Sequence, residues 1–471
     1  MNFKISFRWP SNYSLTSLGL LSALFSCSQP PEEKESTKPN IIFIFADDWG
    51  FGDLGCYGNA DPITPNLDKL ASQGTLFTQF HVTSGVCSPS RTSIITGHFP
   101  ARHRVHGHFA GNEVNLKRDM PNWLDEKLDG YLPQLMQKAG YLTAHFGKWH
   151  LGGGGLPHGD LSAPQPTKYG YDETRVWNGN GPTWNGDKLW PETRYMDDDT
   201  LWVQSSNKLA VDATIDFLQK PKQKKKPVFI NLWLKDPHTP LWPTEKQKEP
   251  WLHIEEPLRT YFAVISDADH HIGRLLDLLD KIELTDNTLV IFSSDNGPEW
   301  PHVNPEVNSY YSRGSTAGLR GQKRCLFQGG VNVPFIVRWP GNTPAGKKDT
   351  TSLLSSIDLF PTFCEIAGAE IPEGWNPEGE SILAPLKAEN FTRTLPLFWE
   401  WRFANPGHED LWPEMAVRHG DWKLLKSFNL NRTELYNITS DPYERNNLLG
   451  ENPEKAGELE KMWMEWKEEL P

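Results

Sequence analysis

A continuous apolar run at residues 41–45, Ile-Ile-Phe-Ile-Phe, constrains the fold more than any other feature of this chain. A strand that is apolar at every position has to be buried on both faces, as the strands of a parallel sheet are. Similar runs occur at residues 228–234, 288–292 and 334–337, and helical patterns separate them at residues 64–73, 131–139 and 261–279. This alternation predicts an α/β fold with a large mixed, mainly parallel central sheet flanked by helices.

After Gly368 the pattern changes to short strand-like segments at residues 395–401, 414–418 and 421–427, followed by a helical pattern at residues 454–468. Such a series predicts a smaller antiparallel sheet with a helix packed against it. We therefore expect a main α/β domain at residues 40–385 and a C-terminal antiparallel subdomain at residues 386–471.

The N-terminus has the features of a secretion signal, with Lys4 and Arg8 ahead of a short apolar run at residues 15–25. The run is too short to cross a membrane as a helix. Leu-Phe-Ser-Cys at residues 24–27 resembles a bacterial lipobox, which predicts a signal peptide at residues 1–26 and lipidation of Cys27. Residues 27–39, rich in Pro, Glu, Ser and Lys, then form a disordered tether. We expect an exported lipoprotein of the periplasm, outer membrane or cell surface, held to the membrane only by its lipid; an ordinary cleaved signal is the alternative.

The chain has 471 residues and a formal net charge of −13. Proteins that bind nucleic acid are more often basic, so this class is set aside. An acidic protein can still bind an anionic substrate where its basic residues are concentrated locally. The five cysteines, at positions 27, 56, 87, 325 and 364, are too few for a disulfide framework.

Oxygen-bearing side chains follow two of the predicted buried strands. Asp47 and Asp48 come directly after the first strand, and Asp295 and Asn296 come directly after the strand near residues 289–294. In open α/β sheets, ligands bind beyond the carboxyl ends of the strands. Three carboxylates and an amide oxygen form a hard ligand set that suits Ca²⁺ better than zinc. Taken separately, each motif also has an ordinary interpretation as a turn or a helix cap.

Residues 87–91, Cys-Ser-Pro-Ser-Arg, lead into a segment that is predicted to be helical. Proline is favoured in the first helical turn, so Cys87 is expected at or just before a helix N-terminus. Free backbone N–H groups and the helix dipole favour an anion there, and Arg91 adds a permanent positive charge. A buried structural cysteine at a turn is the alternative.

Four further basic side chains, Lys148, His150, His238 and Lys323, follow strand-like segments or precede the Gly-Gly pair at residues 329–330. With these in place, the chain from about residue 39 to 449 resembles a type I, formylglycine-dependent sulfatase of the alkaline phosphatase superfamily. The motifs occur in the family's order, and Gly-Asp-Trp-Lys at residues 420–423 is similar to its C-terminal subdomain. The Cys-x-Pro-x-Arg motif is specific in this context, whereas the others are weak singly.

The resemblance implies sulfate-ester hydrolysis and a role for each matching residue. Cys87 would be oxidised to Cα-formylglycine by a maturation enzyme, and its hydrate would attack sulfur. If Cys27 is lipidated as well, at most one disulfide is possible. Calcium would be bound by the modified Cys87 together with Asp47, Asp48, Asp295 and Asn296. The resemblance gives the remaining roles to basic residues. Arg91 and Lys148 would hold the nucleophile and the sulfate, and His150 would help to release sulfate. His238 and Lys323 would assist the leaving oxygen, with His238 as the general acid. In Gln328 and Asn332 the chain departs from the family's usual Glu and Arg.

The substrate class is less constrained by the sequence. The chain has 20 tryptophans, and a tryptophan ring can pack on a sugar face, although core packing explains such residues equally well. Those in loop-like sequence are Trp177, Trp184, Trp190, Trp202, Trp242, Trp251, Trp300 and Trp375, and His103, Arg104, His106 and Arg313 are candidate sugar ligands. Sulfated algal polysaccharides such as ulvan or carrageenan are the first expectation and glycosaminoglycans the second. A phosphatase or phosphodiesterase of the same superfamily and a non-catalytic binder of sulfated glycans are the alternatives.

Overall fold

The computed structural model describes Met1 and residues 38–61, 63–154, 160, 162–177, 184–185, 188–189, 200–220, 226–301, 303–304, 309–310 and 313–471. The predicted signal peptide, Cys27 and nearly all of the predicted tether lie outside these residues. From Lys38 onward the described residues belong to one compact unit. None of the helices within the described ranges is long and apolar enough to span a membrane.

Strands and helices alternate along most of the described chain. The strands are β1 Asn40–Ala46, β2 Thr75–Phe77, β3 Phe80–His81, β4 Leu142–Lys148, β5 Glu173–Trp177, β6 Trp184–Asn185, β7 Lys188–Leu189, β8 Val228–Trp233, β9 Thr288–Ser294, β10 Val303–Asn304, β11 Ser309–Tyr310, β12 Phe335–Arg338, β13 Lys347–Asp349, β14 Leu354–Ser355, β15 Leu397–Glu400, β16 Met415–His419, β17 Trp422–Ser427 and β18 Arg432–Asn437. The helices are α1 Pro65–Ser72, α2 Cys87–Thr96, α3 Asn112–Lys117, α4 Leu132–Lys138, α5 Thr200–Leu218, α6 Glu245–Lys248, α7 Leu258–Lys281, α8 Gln328–Val331, α9 Leu359–Ala367, α10 Leu383–Leu386 and α11 Pro453–Glu468.

The central sheet has the strand order β13-β2-β12-β9-β1-β8-β4-β5-β6-β7. Its middle strands, β9, β1, β8, β4 and β5, are all parallel. Antiparallel pairing occurs where β12 joins β9 and β2, and where β6 joins β5 and β7. The prediction of a large mixed, mainly parallel sheet is therefore confirmed.

Helices cover both faces of this sheet, which explains why residues 41–46 of β1 are all apolar. Ile42 and Ile44 face one buried cluster, which includes side chains of α1, α5 and α7. Ile41, Phe43 and Phe45 face the other cluster, which includes side chains of α2, α4 and α9. Successive side chains of a strand point to opposite faces, so a strand between two cores needs an apolar residue at every position.

The C-terminal region forms an antiparallel sheet with the order β15-β16-β17-β18, and α11 contacts this sheet. The predicted small sheet and final helix are confirmed, but β18 was not predicted. Its first residues, Arg432-Thr433-Glu434, are polar, and they carry the ion pair of Arg432 with Glu434. The domain boundary between residues 385 and 386 stays a prediction.

The sequence of residues 151–202 is rich in Gly, Pro, Asn, Asp and Trp with little periodicity, which predicts long loops. This expectation is wrong for β5, which continues the parallel sheet beyond β4, and for the start of α5, which includes Trp202. Residues 155–159, 178–183 and 190–199 lie outside the described ranges.

Glu400, at the end of β15, is a half-buried carboxylate with three basic partners. Its carboxylate is 2.9 Å from His106 Nδ1 and accepts hydrogen bonds from Lys467 Nζ at 2.6 Å and Arg402 Nε at 3.2 Å. Burial alone would raise the pKa of Glu400, but the bonds from His106 and Lys467 outweigh it and lower the pKa from 4.5 to about 2. A carboxylate with a lowered folded-state pKa stabilises the fold above its unfolded pKa, and this stability is lost as the pH falls through the folded pKa.

Glu400→Gln is therefore expected to lower the free energy of unfolding at neutral pH by about 3 kcal/mol. The difference from the unchanged protein should shrink as the pH falls from 4.5 towards 2. Urea unfolding across this range measures it, with exposed Glu409→Gln as the matched control. A destabilisation that is the same at every pH would contradict the linkage.

Candidate active site

The predicted site residues meet at the carboxyl edge of the parallel strands. Asp47 and Asp48 follow β1, Asp295 and Asn296 follow β9, and Lys148 is the last residue of β4. His238 lies in the loop after β8, and Cys87 is the first residue of α2. The strand order places β9, β1, β8 and β4 side by side, which brings residues that are far apart in sequence to one place.

Three buried carboxylates and one sulfur form a compact group at this edge. Ligand atoms of Asp47, Asp48, Asp295 and Cys87 all lie within 4.8 Å of one another. Asn296 extends the group, because its Nδ2 donates to Asp48 Oδ1 at 2.7 Å while its buried Oδ1 has no hydrogen-bond partner among the described residues. An unpaired buried oxygen next to three carboxylates suits a hard divalent cation such as Ca²⁺. The predicted metal ligands are thus brought together and fit such an ion.

Cationic side chains partly balance the carboxylates. Arg91 donates from Nε and Nη2 to Asp295 Oδ2 at 3.0 and 2.6 Å, and Lys323 Nζ is 2.6 Å from Asp48 Oδ1. Lys148 Nζ donates to Asp47 Oδ2. Burial would raise the pKa of Asp47, but Lys148, His238 and Arg91 hold it well below 3.8. In contrast, burial and the charge of Asp47 raise the pKa of Asp295 to about 7. A bound cation would relieve this repulsion.

Cys87 lies at the N-terminus of α2 and is almost fully buried. Its thiol donates to Asp47 Oδ1 at 3.2 Å, and Lys148 Nζ donates to its Sγ at 3.4 Å. Burial, with Asp295 and Asp47, raises the pKa of the thiol well above its usual value. The other described cysteines, Cys56, Cys325 and Cys364, are free thiols as well.

A cavity of about 200 Å³ opens above Cys87. It is lined by Val86, Cys87, His108, Lys148, His150, His238, Thr239, Glu299, Lys323 and Arg324. Five of the six predicted catalytic side chains therefore face one space. The sixth, Arg91, is fully buried behind the carboxylates, where its guanidinium lies 5.1 Å from the ring centroid of Trp233.

The two predicted histidines present different nitrogen atoms to their neighbours. His238 Nδ1 lies 2.8 Å from Thr239 O and therefore carries the proton of that hydrogen bond, because a carbonyl only accepts. His150 Nε2 pairs in the same way with Phe109 O at 3.2 Å. Burial, followed by Lys323 and Lys148, lowers the pKa of His238 to about 3. An anionic ester between these lysines would offset their charge and raise the pKa of His238 again, so its role as general acid stays a prediction.

The loops that carry Asn296 and Lys323 pack backbone against backbone. Gly297 N donates to Gly330 O at 2.9 Å, and Lys323 N donates to Pro298 O at 2.9 Å. A Cβ atom on Gly297 would lie 1.8 Å from Gly329 O. Only glycine allows this approach, which brings an expected metal ligand and a cationic side chain to the same cavity.

Sequence reasoning missed His108, Glu299 and Arg324, three chargeable side chains of the cavity wall. Glu299 lies three residues after Asn296, and Arg324 directly follows Lys323. This closeness to predicted site residues is the only feature of the sequence that could have indicated them. The four candidate sugar ligands are not among the cavity-lining residues. His103 pairs with His98, Arg104 pairs with Asp119, His106 is buried against Glu400, and Arg313 is exposed.

The four described tryptophans that were proposed for sugar binding do not line the cavity either. Trp251 is buried, and Trp242, Trp300 and Trp375 are half-buried. The side chains of Trp177, Trp184, Trp190 and Trp202 lie outside the description. Trp300 contacts a residue of the site, because its Nε1 donates to Lys323 O at 2.8 Å.

The two departures from the family pattern lie away from the cavity lining. Gln328 Oε1 pairs with His81 Nε2 at 2.8 Å, and the backbone N–H of Gln328 donates to Glu444. Asn332 Nδ2 donates to Thr78 O at 3.1 Å. These contacts support local packing between the main sheet and the C-terminal region.

The chain is similar to known proteins over most of its length. The family described as "Sulfatase" matches residues 39–369, and one described as "N-sulphoglucosamine sulphohydrolase, C-terminal" matches residues 321–469. An N-acetylgalactosamine-6-O-sulfatase of Bacteroides thetaiotaomicron is 28% identical over 94% of this chain and 96% of its own length. Human arylsulfatase G is 30% identical over 85% of this chain and 76% of its own length. A structure described as Ps i-CgsB in complex with k-i-k-neocarrahexaose has a TM-score of 0.74 and 28% identity, and the match covers 92% of this chain and 94% of that one.

Proposed function

Because this chain belongs to the sulfatase family and is therefore a sulfuric ester hydrolase, we propose that it removes sulfate from galactose-configured sugars of a sulfated glycan. We propose further that its nucleophile is Cα-formylglycine made from Cys87 and that its metal is Ca²⁺. The family establishes the reaction, whereas the substrate, the modification and the metal are the proposed part.

One observation supports the proposal most strongly. The Cys87 sulfur is 3.2 Å from Asp47 and 3.4 Å from Lys148, at the base of a cavity that His150, His238 and Lys323 also line. A nucleophile at this position has a cation site on one side and positive or hydrogen-bonding groups on the other. Such an arrangement suits the charge that develops on a tetrahedral sulfate ester.

The position of each residue in the site indicates its proposed role in the reaction. When present, the formylglycine hydrate supplies a hydroxyl nucleophile, and a divalent cation held by Asp47, Asp48, Asp295, Asn296 and the modified residue supplies positive charge beside it. Arg91 is fixed by its two bonds to Asp295 and holds that carboxylate in place. Lys148 and Lys323 line the cavity and would bind the non-bridging sulfate oxygens.

The two histidines would move protons in the same cavity. The Nε2 of His238 is the nitrogen left for the substrate, because Nδ1 is occupied by Thr239 O. Once the ester charge has raised the pKa of His238, a proton at Nε2 could pass to the leaving alcohol oxygen. His150 lines the same cavity and is the residue proposed to help release sulfate, with its Nδ1 unpaired among the described residues.

The names of two relatives support the sugar class. One relative is named for N-acetylgalactosamine 6-sulfate, and the ligand of one structural neighbour is a carrageenan oligosaccharide, which is built from galactose units. Both are galactose-configured, so we propose this configuration rather than one polymer. The N-terminal sequence supports export and lipidation at Cys27, which would allow the enzyme to meet such polymers outside the cytoplasm.

The test is sulfate release by protein that has been co-expressed with a formylglycine-generating enzyme. The probes are N-acetylgalactosamine 6-sulfate, carrageenan oligosaccharides, chondroitin sulfate oligosaccharides and glucosamine 6-sulfate, with 4-nitrophenyl phosphate as the probe for a phosphatase. We expect sulfate from at least one galactose-configured probe at a rate well above that from glucosamine 6-sulfate. Preference for the glucosamine ester would refute the sugar class, and preference for the phosphate ester would refute the reaction.

Gly297→Ala tests the close packing that brings Asn296 and Lys323 together. The new Cβ would meet Gly329 O, so the two loops have to separate. We expect a loss of roughly 1–3 kcal/mol of stability and a fall in kcat/KM of about a hundredfold. Thermal unfolding and sulfate release measure these, and Gly457→Ala, where a Cβ meets no atom within 4 Å, is the control. Equal effects of the two substitutions would contradict the positioning role.

A further inference from the structure

Three chargeable residues of the cavity wall have no part in the mechanism above. They are His108, Glu299 and Arg324. Burial, together with Arg118, Lys323 and Arg324, lowers the pKa of His108 to about 3, so this residue is neutral. Glu299 and Arg324 form an ion pair, and their different exposure indicates which of the two can meet a substrate.

The guanidinium of Arg324 is held by a buried carboxylate. Its Nη1 and Nη2 donate to Glu299 Oε1 and Oε2 at 2.5 and 2.7 Å, a geometry that fixes the plane of the group. The side chain of Glu299 is only 5% exposed, whereas that of Arg324 is 43% exposed. Glu299 also accepts from Trp300 N at 2.9 Å. Glu299 is therefore the anchor of the pair, and Arg324 is the member that reaches the open part of the cavity.

The backbone of Arg324 is held in a conformation that is unfavourable for it. Its φ angle is +70°, in the left-handed region that side chains other than glycine rarely adopt. Its N–H donates to Gly85 O at 2.8 Å, two residues before Cys87. A Cβ on Gly85 would lie 2.7 Å from Cys325 O, so the two segments are in close contact. Strain of this kind is common at functional sites. The hydrogen bond to Gly85 and the close contact of the two segments fix the position of Arg324 relative to Cys87.

The charges around the cavity indicate what Arg324 can bind. The carboxylates of the site and the cations that face them are equal in number: Asp47, Asp48, Asp295 and Glu299 against Arg91, Lys148, Lys323 and Arg324. A divalent cation would add two positive charges, of which the singly charged sulfate ester offsets one, but this charge would lie beside Asp47, Asp48 and Asp295 rather than beside Arg324. Because Glu299 already neutralises Arg324, a second anionic group would find no uncompensated cation there. The N–H groups that point away from Glu299 suit a neutral oxygen.

We propose that Arg324 determines substrate specificity by donating hydrogen bonds to a neutral hydroxyl of the sugar that carries the sulfate ester, and that Glu299 positions it. This inference rests on the proposed function, and it names a contact that the sulfate group itself does not make. It predicts selection of a sugar with a free hydroxyl beside the ester over one with a second sulfate at that position.

The test measures two affinities by calorimetry in calcium-containing buffer, on Cys87→Ala protein that cannot turn over its ligand. The probes are inorganic sulfate and N-acetylgalactosamine 6-sulfate. Arg324→Met is expected to weaken sugar binding at least about tenfold more than sulfate binding, because a charged donor is lost only from the sugar contact. Arg324→Lys should restore only part of this difference, because it lacks the planar fork.

Arg432→Met is the matched control. Arg432 is a similarly exposed arginine, 39% against 43%, that is also paired with a glutamate, but it lies on β18. In Arg432→Met, the ratio of the affinity for N-acetylgalactosamine 6-sulfate to the affinity for inorganic sulfate should be the same as in the Cys87→Ala protein without this change. Glu299→Gln should shift the ratio in the direction of Arg324→Met, whereas a merely structural role would lower the melting temperature and leave the ratio as it was.

Three outcomes would overturn the inference. An equal loss of both affinities in Arg324→Met would show that Arg324 serves the sulfate and not the sugar. If N-acetylgalactosamine 4,6-disulfate bound more tightly than the 6-sulfate, and this gain were lost in Arg324→Met, the group that Arg324 binds would be an anion and not a neutral hydroxyl. Failure of the Cys87→Ala protein to bind sulfate at all would overturn the proposed function, and the inference with it.

Discussion

Replacing Cys87 with alanine is expected to lower the rate of sulfate release by a factor on the order of 10⁴ or more. The expected loss is this large because the change removes the atoms from which the nucleophile is made, while the other four proposed ligands of the cation and the cationic walls stay in place. The measurement is sulfate release from the best substrate found above, with mass spectrometry of the peptide that contains residue 87. In the unchanged protein this peptide should carry formylglycine.

Cys364→Ala is the control for this prediction. Cys364 is also buried, but it lies in α9 and is not among the cavity-lining residues, so its removal should cost stability rather than chemistry. A second arm uses unchanged protein from a host without a formylglycine-generating enzyme, which should fold and be largely inactive. Full activity in that protein, with an intact thiol at residue 87, would refute the proposed nucleophile.

Asp295→Asn is expected to remove most of the stabilisation by calcium and to lower kcat/KM by a factor on the order of 10³. Asp295 stands between two positive partners, Arg91 and the proposed ion, and it repels Asp47 when no ion is bound. A ligand that binds only the folded state stabilises it by about 2.7 kcal/mol at a hundred times its Kd. We therefore expect the melting temperature of unchanged protein to rise with calcium and to fall with EDTA, and both responses to weaken in the variant.

Asp269→Asn is the control for this second prediction. Asp269 is a buried carboxylate that accepts hydrogen bonds from Asn66 and Leu67 at the start of α1, away from the proposed metal ligands. Its loss should lower the melting temperature and leave the response to calcium as it was. A calcium response that persists in Asp295→Asn, or a response to zinc but not to calcium, would contradict the proposed ion.

Much of the fold follows from local sequence. The apolar runs within β1, β8 and β9 predicted a sheet covered on both faces, and Asp47 and Asp295 could be placed because they follow such strands directly. Short polar strands were harder to predict: β18 begins with Arg432-Thr433-Glu434, and its pairing depends on β17 rather than on its own periodicity. The strand β5 was missed for a similar reason, because its polar residues Glu173 and Arg175 form ion pairs with Lys220 and Asp216, which lie more than 40 residues away in the chain.

The walls of the cavity could not be predicted from sequence. Arg324 reaches the site because its backbone bonds to Gly85 and its side chain to Glu299, and neither contact has a signature in the local sequence. The candidate sugar ligands were predicted from residue type, but they do not line the cavity. His106 has a chemistry that suits a binding site, but tertiary contacts direct it to Glu400. Residue type indicates what a side chain can do, and packing decides whether it faces the substrate.

All ten residues of α2, from Cys87 to Thr96, are buried. An enzyme that oxidises Cys87 has to bind the surrounding peptide as well, and in the folded protein that peptide is a helix enclosed in the core. The proposed oxidation must therefore precede folding, during or soon after synthesis. A molecule that folds first would keep its thiol for its lifetime. The active fraction of a population would then depend on the rate of oxidation by the maturation enzyme relative to the rate of folding.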